Sequence, residues 1–432
     1  MRDSHDLSER VAGRLVGPYS YSILVISACI FVAIGFVTWI NGPLISFVEV
    51  AFSLDEVSAF LIPLVFYISY FFFSIPAAFV AKKLGMKLGL SCSLLVSALG
   101  VACFGQFVVW KNYPGVLAGL LILGAGVSLM QLIMSALVSL LGPASRAAQR
   151  IAIMGICNKA AGIVAPIIIG VFVMGNIGSV AERAQAAPDK AAKDAILYPL
   201  AHSLYGPYLI LAAILVLIGI VVLFFPLPTL EAPPIVKLKK SERSHFLQPH
   251  VIFGFIALFL YAGNEVLAAS AIGTYGSGFG LPLDSTKFFT TFTLTAMLIG
   301  YIAGFVVVPR FVTQEVYVQF SCFIGIVFAI CAFFTHGYSS VFFIALLGAA
   351  NAMIMPILFP IALRGAGALT SLVSAVLVMT YCGGAIIPPI YVLLKPYLGF
   401  QGALILLVVP SYLAMSAYAY YFGRVGLQAE EG

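Results

Sequence analysis

The sequence predicts an all-α integral membrane protein of twelve transmembrane helices in two six-helix bundles. Three observations lead there: the composition, the recurrence of apolar runs, and one long polar interruption near the middle. Of 432 residues, 62% are hydrophobic and 9% charged, too few polar groups to cover a soluble domain. Runs of about 20 apolar residues, enough to cross a hydrocarbon core of roughly 30 Å, fall near 20–48, 57–81, 88–110, 114–141, 150–175 and 203–226. Six more follow near 250–276, 285–309, 316–335, 339–363, 369–394 and 399–423. Between the two sets lies a polar stretch with Pro233, Pro234 and a basic run from Lys237 to Arg243. The expected organisation is an N-terminal bundle over 1–226, a cytoplasmic linker over 227–249 and a C-terminal bundle over 250–432.

Each flank supports its span. Met1–Val16 is charged and polar, and the first apolar run is too long for a signal-peptide core. With both termini placed in the cytoplasm, the inside set of Lys and Arg is Arg2, Arg10, Arg14, Lys82, Lys83, Lys87, Arg146, Arg150, Lys237, Lys239, Lys240, Arg243, Arg310, Arg364 and Arg424. The outside set is Lys111, Arg183, Lys190, Lys193, Lys287 and Lys395. Fifteen against six is a positive-inside bias and predicts N-in, C-in topology. The net charge of +6 therefore reflects topology. No soluble domain presents a basic face to nucleic acid, so the partners expected are a small solute and the lipid bilayer, with a monomer as the working unit. Val180–Asp194, rich in Ala and charge, is expected to be a solvated outer loop. The seven cysteines lie in apolar segments at no metal-ligand spacing and read as small buried hydrophobes.

Signatures of catalysis are missing from the chain. The five histidines lie at segment ends or in tails, and neither a phosphate-binding loop nor a paired-carboxylate arrangement occurs. No cofactor is expected; without a nucleotide domain ATP does not drive transport, and coupling to H+, to Na+ or to neither stays open. Twelve spans split six and six point to a secondary transporter built from two repeats. A weak echo of Leu132–Val138 in Met353–Phe359 agrees.

Two ionisable residues sit deep inside apolar segments: Lys159 in the fifth and Glu265 in the seventh. Intramembrane charges are costly and usually face a water-filled cavity, which makes this pair the default functional site. Helix-breaking residues accompany polar groups in the first segment of each half, Thr38-Trp39-Ile40-Asn41-Gly42-Pro43 and Tyr261-Ala262-Gly263-Asn264-Glu265. Unwound backbone at membrane depth is tolerated where it lines a cavity. Trp39 adds a flat aromatic face to the amides of Asn41 and Asn264, chemistry suited to a polyhydroxylated ligand.

These residues also carry a family resemblance. Ile75-Pro76-Ala77-Ala78 running into Lys82-Lys83-Leu84-Gly85-Met86-Lys87-Leu88-Gly89 is similar to a signature of the fucose–proton symporter family of the major facilitator superfamily, in particular its glucose/galactose transporter branch. Val138-Ser139-Leu140-Leu141-Gly142-Pro143, Tyr261-Ala262-Gly263-Asn264-Glu265-Val266, the run Asn351–Phe359 and the run Val378–Pro388 resemble further motifs of that family, in the same order. The resemblance implies the two-bundle fold of that superfamily, residence in the bacterial inner membrane and symport of a sugar by alternating access. It also exposes departures at the transport chemistry. The family's helix-one aspartate, taken to carry the proton, is Gly42 here; the helix-four glutamate of its fucose branch is Gln131; a helix-five glutamine is Gly155, followed by Asn158 and the charged Lys159.

The substrate-binding set expected from these readings is Trp39, Asn41, Gln131, Asn158, Lys159, Asn264, Glu265 and Asn351, with Glu265 as the ion-coupling acid. Lys159 either snorkels toward the cytoplasmic face or faces the cavity, there as a counter-ion to Glu265 or as the partner of a substrate anion. Two functions remain open: a carrier of a sugar or similar polyol, and a carrier of an anionic solute such as an organic acid, a sugar acid or a carboxylate-bearing chelate. A non-transporting sensor on the same scaffold is a third.

Overall fold

A computed structural model of the chain describes residues 19–140, 147–224, 248–308, 310–364, 366 and 370–423. The linker expected over 227–249, save its last two residues, lies outside the described residues, as do Arg2, Arg10, Arg14, Arg146, Lys237, Lys239, Lys240, Arg243 and Arg424.

The first half comprises α1 (Tyr19–Trp39), α2 (Asn41–Phe52), α3 (Leu61–Val109), α4 (Tyr113–Leu140), α5 (Ala147–Ile168), α6 (Ile177–Gln185), α7 (Lys190–Ser203) and α8 (Tyr205–Phe224). The second comprises α9 (Pro249–Ser270), α10 (Ile272–Ser277), α11 (Phe289–Val307), α12 (Gln314–Phe334), α13 (Gly337–Asn351), α14 (Ile354–Leu363), α15 (Thr370–Met379) and α16 (Gly383–Phe422). Ten helical runs among the described residues are long and apolar enough to cross a membrane. Two of the ten are double. Gly85 inside α3 (φ 72, ψ 176) and Gly399 inside α16 (φ 69, ψ 161) hold backbone angles that are essentially confined to glycine, and each turns one long run into two spans. Eight single and two double spans make up the expected twelve. The glycine of the Lys82-Lys83-Leu84-Gly85 signature is thus the reversal between the second and third spans.

Packing within each half relies on close backbone approach, the main source of helix association where lipid removes the hydrophobic drive. A Cβ on Gly100 would lie 2.3 Å from the Leu123 backbone nitrogen, and one on Gly119 would lie 2.6 Å from that of Phe104, so α3 and α4 touch backbone to backbone. Between the halves, α5 packs on α11, and α3 packs on α15 and α16. Large apolar side chains such as Phe72, Phe224 and Phe334 remain exposed on the outer surface, where lipid covers them.

Three local expectations are corrected. Val180–Asp194 is not a simple loop: α6 and α7 occupy most of it. Ile177, Ala181 and Ala184 form a buried stripe at helical spacing while Glu182 and Arg183 are exposed, and Asp189 caps α7 by accepting from the Ala192 N–H at 2.7 Å. Alanine content, read as loop composition, reflects helix propensity. The break expected at Tyr261–Glu265 is absent as well: α9 runs unbroken to Ser270, and Gly263 serves packing, since its Cβ would lie 2.1 Å from Ile387 Cδ1. Of the cysteines, Cys322 and Cys382 are buried, whereas Cys29 is exposed.

Gly100→Leu is expected to cost about 2 kcal/mol through overpacking of α3 against α4, read as a fall of several degrees in the melting temperature of the detergent-solubilised protein. An unchanged melting temperature would show that the backbones do not touch there.

Candidate functional site

Glycines bring α1 against α5 and fix what faces inward. A Cβ on Gly35 would lie 2.1 Å from the Asn158 carbonyl oxygen, and one on Gly162 would lie 2.5 Å from Trp39 Cδ1. Trp39 is held there by its own ring nitrogen, which donates to Asn158 Oδ1 at 2.9 Å. The next residue on α5, Lys159, lays its ammonium over the Trp39 indole, 3.9 Å from the ring centroid. The same ammonium donates to Glu265 Oε1 of α9 at 2.8 Å. Both side chains are under a tenth exposed, at 6% and 8%. Lys159 therefore does not snorkel: it ties the first half of the protein to the second at the middle of the spans.

The pair lines a cavity of about 80 Å³, room for a few water molecules in this state. Lys159 and Glu265 are its charged members among the described lining residues. Five tyrosines line it with them: Tyr67 and Tyr70 from α3, Tyr261 from α9, Tyr301 from α11 and Tyr381 from the turn before α16. Tyr70 and Tyr381 meet across the halves with ring centroids 5.1 Å apart. Gln131 lies on the wall, its amide donating to Ser135 Oγ at 3.2 Å. The buried Thr38 hydroxyl, also on the wall, has no partner among the described residues.

The lining runs from mid-span residues toward Val138, Ile151 and Phe359, near the end predicted to be cytoplasmic. Toward the other end, contacts join the halves. Lys395 Nζ binds Glu56 Oε1 at 2.5 Å, the Gly178 N–H donates to Asp284 Oδ1 at 3.4 Å, and Lys287 donates to the Gly175 carbonyl. Trp39, Gln131, Asn158, Lys159 and Glu265 thus come together in one cavity. Asn41, Asn264 and Asn351 do not line it. Asn41 is fully buried, with neither amide atom partnered among the described residues. Asn264 points at α16, its amide 3.5 Å from the Val408 carbonyl, and Asn351 accepts from the Tyr412 hydroxyl at 2.8 Å. Adjacent helical residues point about 100° apart, which is why Glu265 enters the cavity and Asn264 leaves it.

A sequence profile described as the Major Facilitator Superfamily matches residues 27–389. The chain belongs to this superfamily. It resembles the glucose/galactose transporter of Brucella abortus biovar 1 (strain 9-941), at 27% identity over 400 residues covering 91% of each chain. It also resembles the L-fucose-proton symporter of Escherichia coli (strain K12), at 26% identity over 361 residues covering 81% of this chain and 82% of the relative. The crystal structure of the superfamily transporter FucP in the outward conformation superposes with a TM-score of 0.77 at 23% identity, over 93% of this chain and 99% of that one. Fold and relatives are those of transporters rather than enzymes, and this chain is a secondary transporter.

Two departures from the symporter pattern now have physical reasons. A Cβ on Gly42 would lie 2.3 Å from Thr290 Oγ1, so in this state α2 and α11 leave no room for the aspartate of the family pattern. A Cβ on Gly155 would lie 2.5 Å from Tyr301 Cε1, so the tyrosine ring occupies the space of a side chain at that position. The tyrosines were missed by sequence reasoning. Their signal was local: Tyr67 and Tyr70 at i, i+3, and Tyr261 and Glu265 at i, i+4, each share a helix face.

Removing one partner of a buried ion pair costs about 3–5 kcal/mol because the other charge is left uncompensated. Glu265→Leu is therefore expected to melt at a lower temperature than the double variant Glu265→Leu/Lys159→Met. The reverse order in a thermal melt would show that the two charges do not compensate each other.

Proposed function

We propose that the protein moves a sugar or similar polyol across the bacterial inner membrane by alternating access, coupled to protons through Glu265. The observation that carries this reading is the ion pair between Lys159 and Glu265, which bridges the halves inside a cavity rich in aromatic and amide groups. Hydroxyls of a sugar find donors and acceptors in Gln131, Asn158, Thr38 and the tyrosines, and its C–H faces find aromatic rings. The glucose/galactose and fucose specificities of the relatives favour the same substrate class.

Glu265 is the remaining acid for coupling, because the position of the family's helix-one aspartate is Gly42 and that of the helix-four glutamate is Gln131. An ammonium 2.8 Å from its carboxylate repels a metal cation, whereas a proton can take the place of the ammonium on Glu265 as the pair opens. The cavity is then open toward the cytoplasm, with N-in, C-in topology, and the contacts Lys395–Glu56, Gly178–Asp284 and Lys287–Gly175 form the closed outer gate. The linker over 227–249 joins two bundles that rock about the central site. Trp39 plays a part different from a free stacking platform, since the face seen here carries the Lys159 ammonium.

Glu265→Gln mimics the protonated acid and is expected to abolish concentrative uptake in proteoliposomes while retaining counterflow exchange. Intact concentrative uptake would remove Glu265 as the coupling group.

A further inference from the structure

The coupling reading leaves a charge unaccounted for. With the pair intact the cavity is neutral, because its described charged members are Lys159 and Glu265 alone. Among the described residues, the titratable groups that line the cavity beside Glu265 are six: Lys159 on α5, Tyr67 and Tyr70 on α3, Tyr261 on α9 itself, Tyr301 on α11, and Tyr381 before α16. The phenols bring hydroxyls and no charge, so a proton on Glu265 leaves the cavity at +1 with a bare ammonium.

The ammonium stays in the cavity when that happens. Trp39 holds it face-on at 3.9 Å, and the indole is itself fixed by its hydrogen bond to Asn158 and by contact with Gly162. Cation–π attraction is strongest where water is excluded. A neutral sugar offers this ammonium dipoles only, whereas a carboxylate offers the charge that Glu265 has just given up.

We infer that the substrate of this cavity carries one negative charge beside its hydroxyls, as a sugar acid does, and that Lys159 passes from Glu265 to the substrate carboxylate when a proton binds Glu265. This inference rests on the proton-coupled reading above and specifies its substrate class. The step balances: one proton adds to a Glu265 carboxylate oxygen, one carboxylate replaces it beside Lys159, no other bond changes, and the loaded cavity is neutral. The empty carrier returns with the Lys159–Glu265 pair re-formed, also neutral. The complete cycle moves no net charge, unlike symport of a neutral sugar with a proton.

The test uses the full-length wild-type protein in proteoliposomes, with galacturonate and galactose as the probes. Moving one elementary charge through 100 mV changes steady-state accumulation about 50-fold, and moving none changes nothing. The expected result is that galacturonate accumulates under an inside-alkaline pH gradient and that a potassium diffusion potential alters its accumulation less than about twofold. Galactose accumulation driven by an inside-negative potential, with galacturonate neither transported nor inhibitory, would overturn the inference and leave the sugar reading in place. Movement of neither probe would overturn both. Lys159→Gln, verified as folded by its melting temperature, is expected to lose at least about 30-fold in galacturonate affinity. Undiminished affinity would overturn the inference, and if the variant does not fold, the wild-type flux measurement decides.

Discussion

A lysine and a glutamate removed from water and set 2.8 Å apart, one from each half of the protein, constrain much of what surrounds them. Neither charge is tolerable alone in this environment, since the effective penalty for burying an ion is several kcal/mol even after relaxation. The pair also couples the halves mechanically, because separating α5 from α9 at mid-span means separating the charges or replacing one of them. A protein built to open alternately at two ends thus has, at its middle, a contact whose strength depends on what else occupies the cavity.

The neighbouring packing reads as support for that contact. Gly35 and Gly162 let α1 lie against α5 closely enough for the Trp39 indole to reach Asn158 and cover Lys159. Gly155 opens the space that Tyr301 fills from the other half, and Gly384 allows α16 to approach α9, where a Cβ would lie 2.6 Å from Val266 Cγ2. Small residues and one aromatic ring hold the ammonium away from the water it would otherwise reach by snorkelling. Toward the other end the halves are joined by polar contacts of a different kind, made by Lys395, Lys287 and Asp284. The partly exposed pair Lys395–Glu56 is of a kind that is individually weak, which suits a contact that has to break in each cycle.

Much of the fold was legible in the sequence because a bilayer imposes one length scale on every span, and twelve apolar runs were countable from it. That Gly85 and Gly399 make the turns was not singled out in the sequence, although glycine is the residue that takes those angles without strain. The amphipathic pair α6 and α7 was misread because a short helix of Ala, Glu, Lys and Arg has the composition of a solvated loop until its buried stripe has something to pack against. At the site, the two charges were legible from the cost of burying them. Direction within a helix was not: Asn264 and Glu265 are neighbours in sequence, yet one faces α16 and the other the cavity. Which way α9 is rotated depends on close contacts such as Gly263 against Ile387, and these belong to the tertiary structure. Asn351 was placed in the site for its position in a motif, and the structure instead pairs it with Tyr412 of α16.

With Gly42 and Gln131 uncharged and Lys159 facing Glu265, one acid and one base set the electrostatics of the cavity among the described residues. The proposed coupling requires one protonation state of the carboxylate that remains: ionised, with the Lys159 ammonium 2.8 Å away. Isotope-edited infrared spectroscopy of Glu265 in the reconstituted protein at neutral pH, without substrate, measures it directly. The account predicts an ionised carboxylate signal in the wild type that converts to a protonated carbonyl signal in Lys159→Met. A protonated Glu265 in the wild type, or a signal indifferent to Lys159, would contradict it.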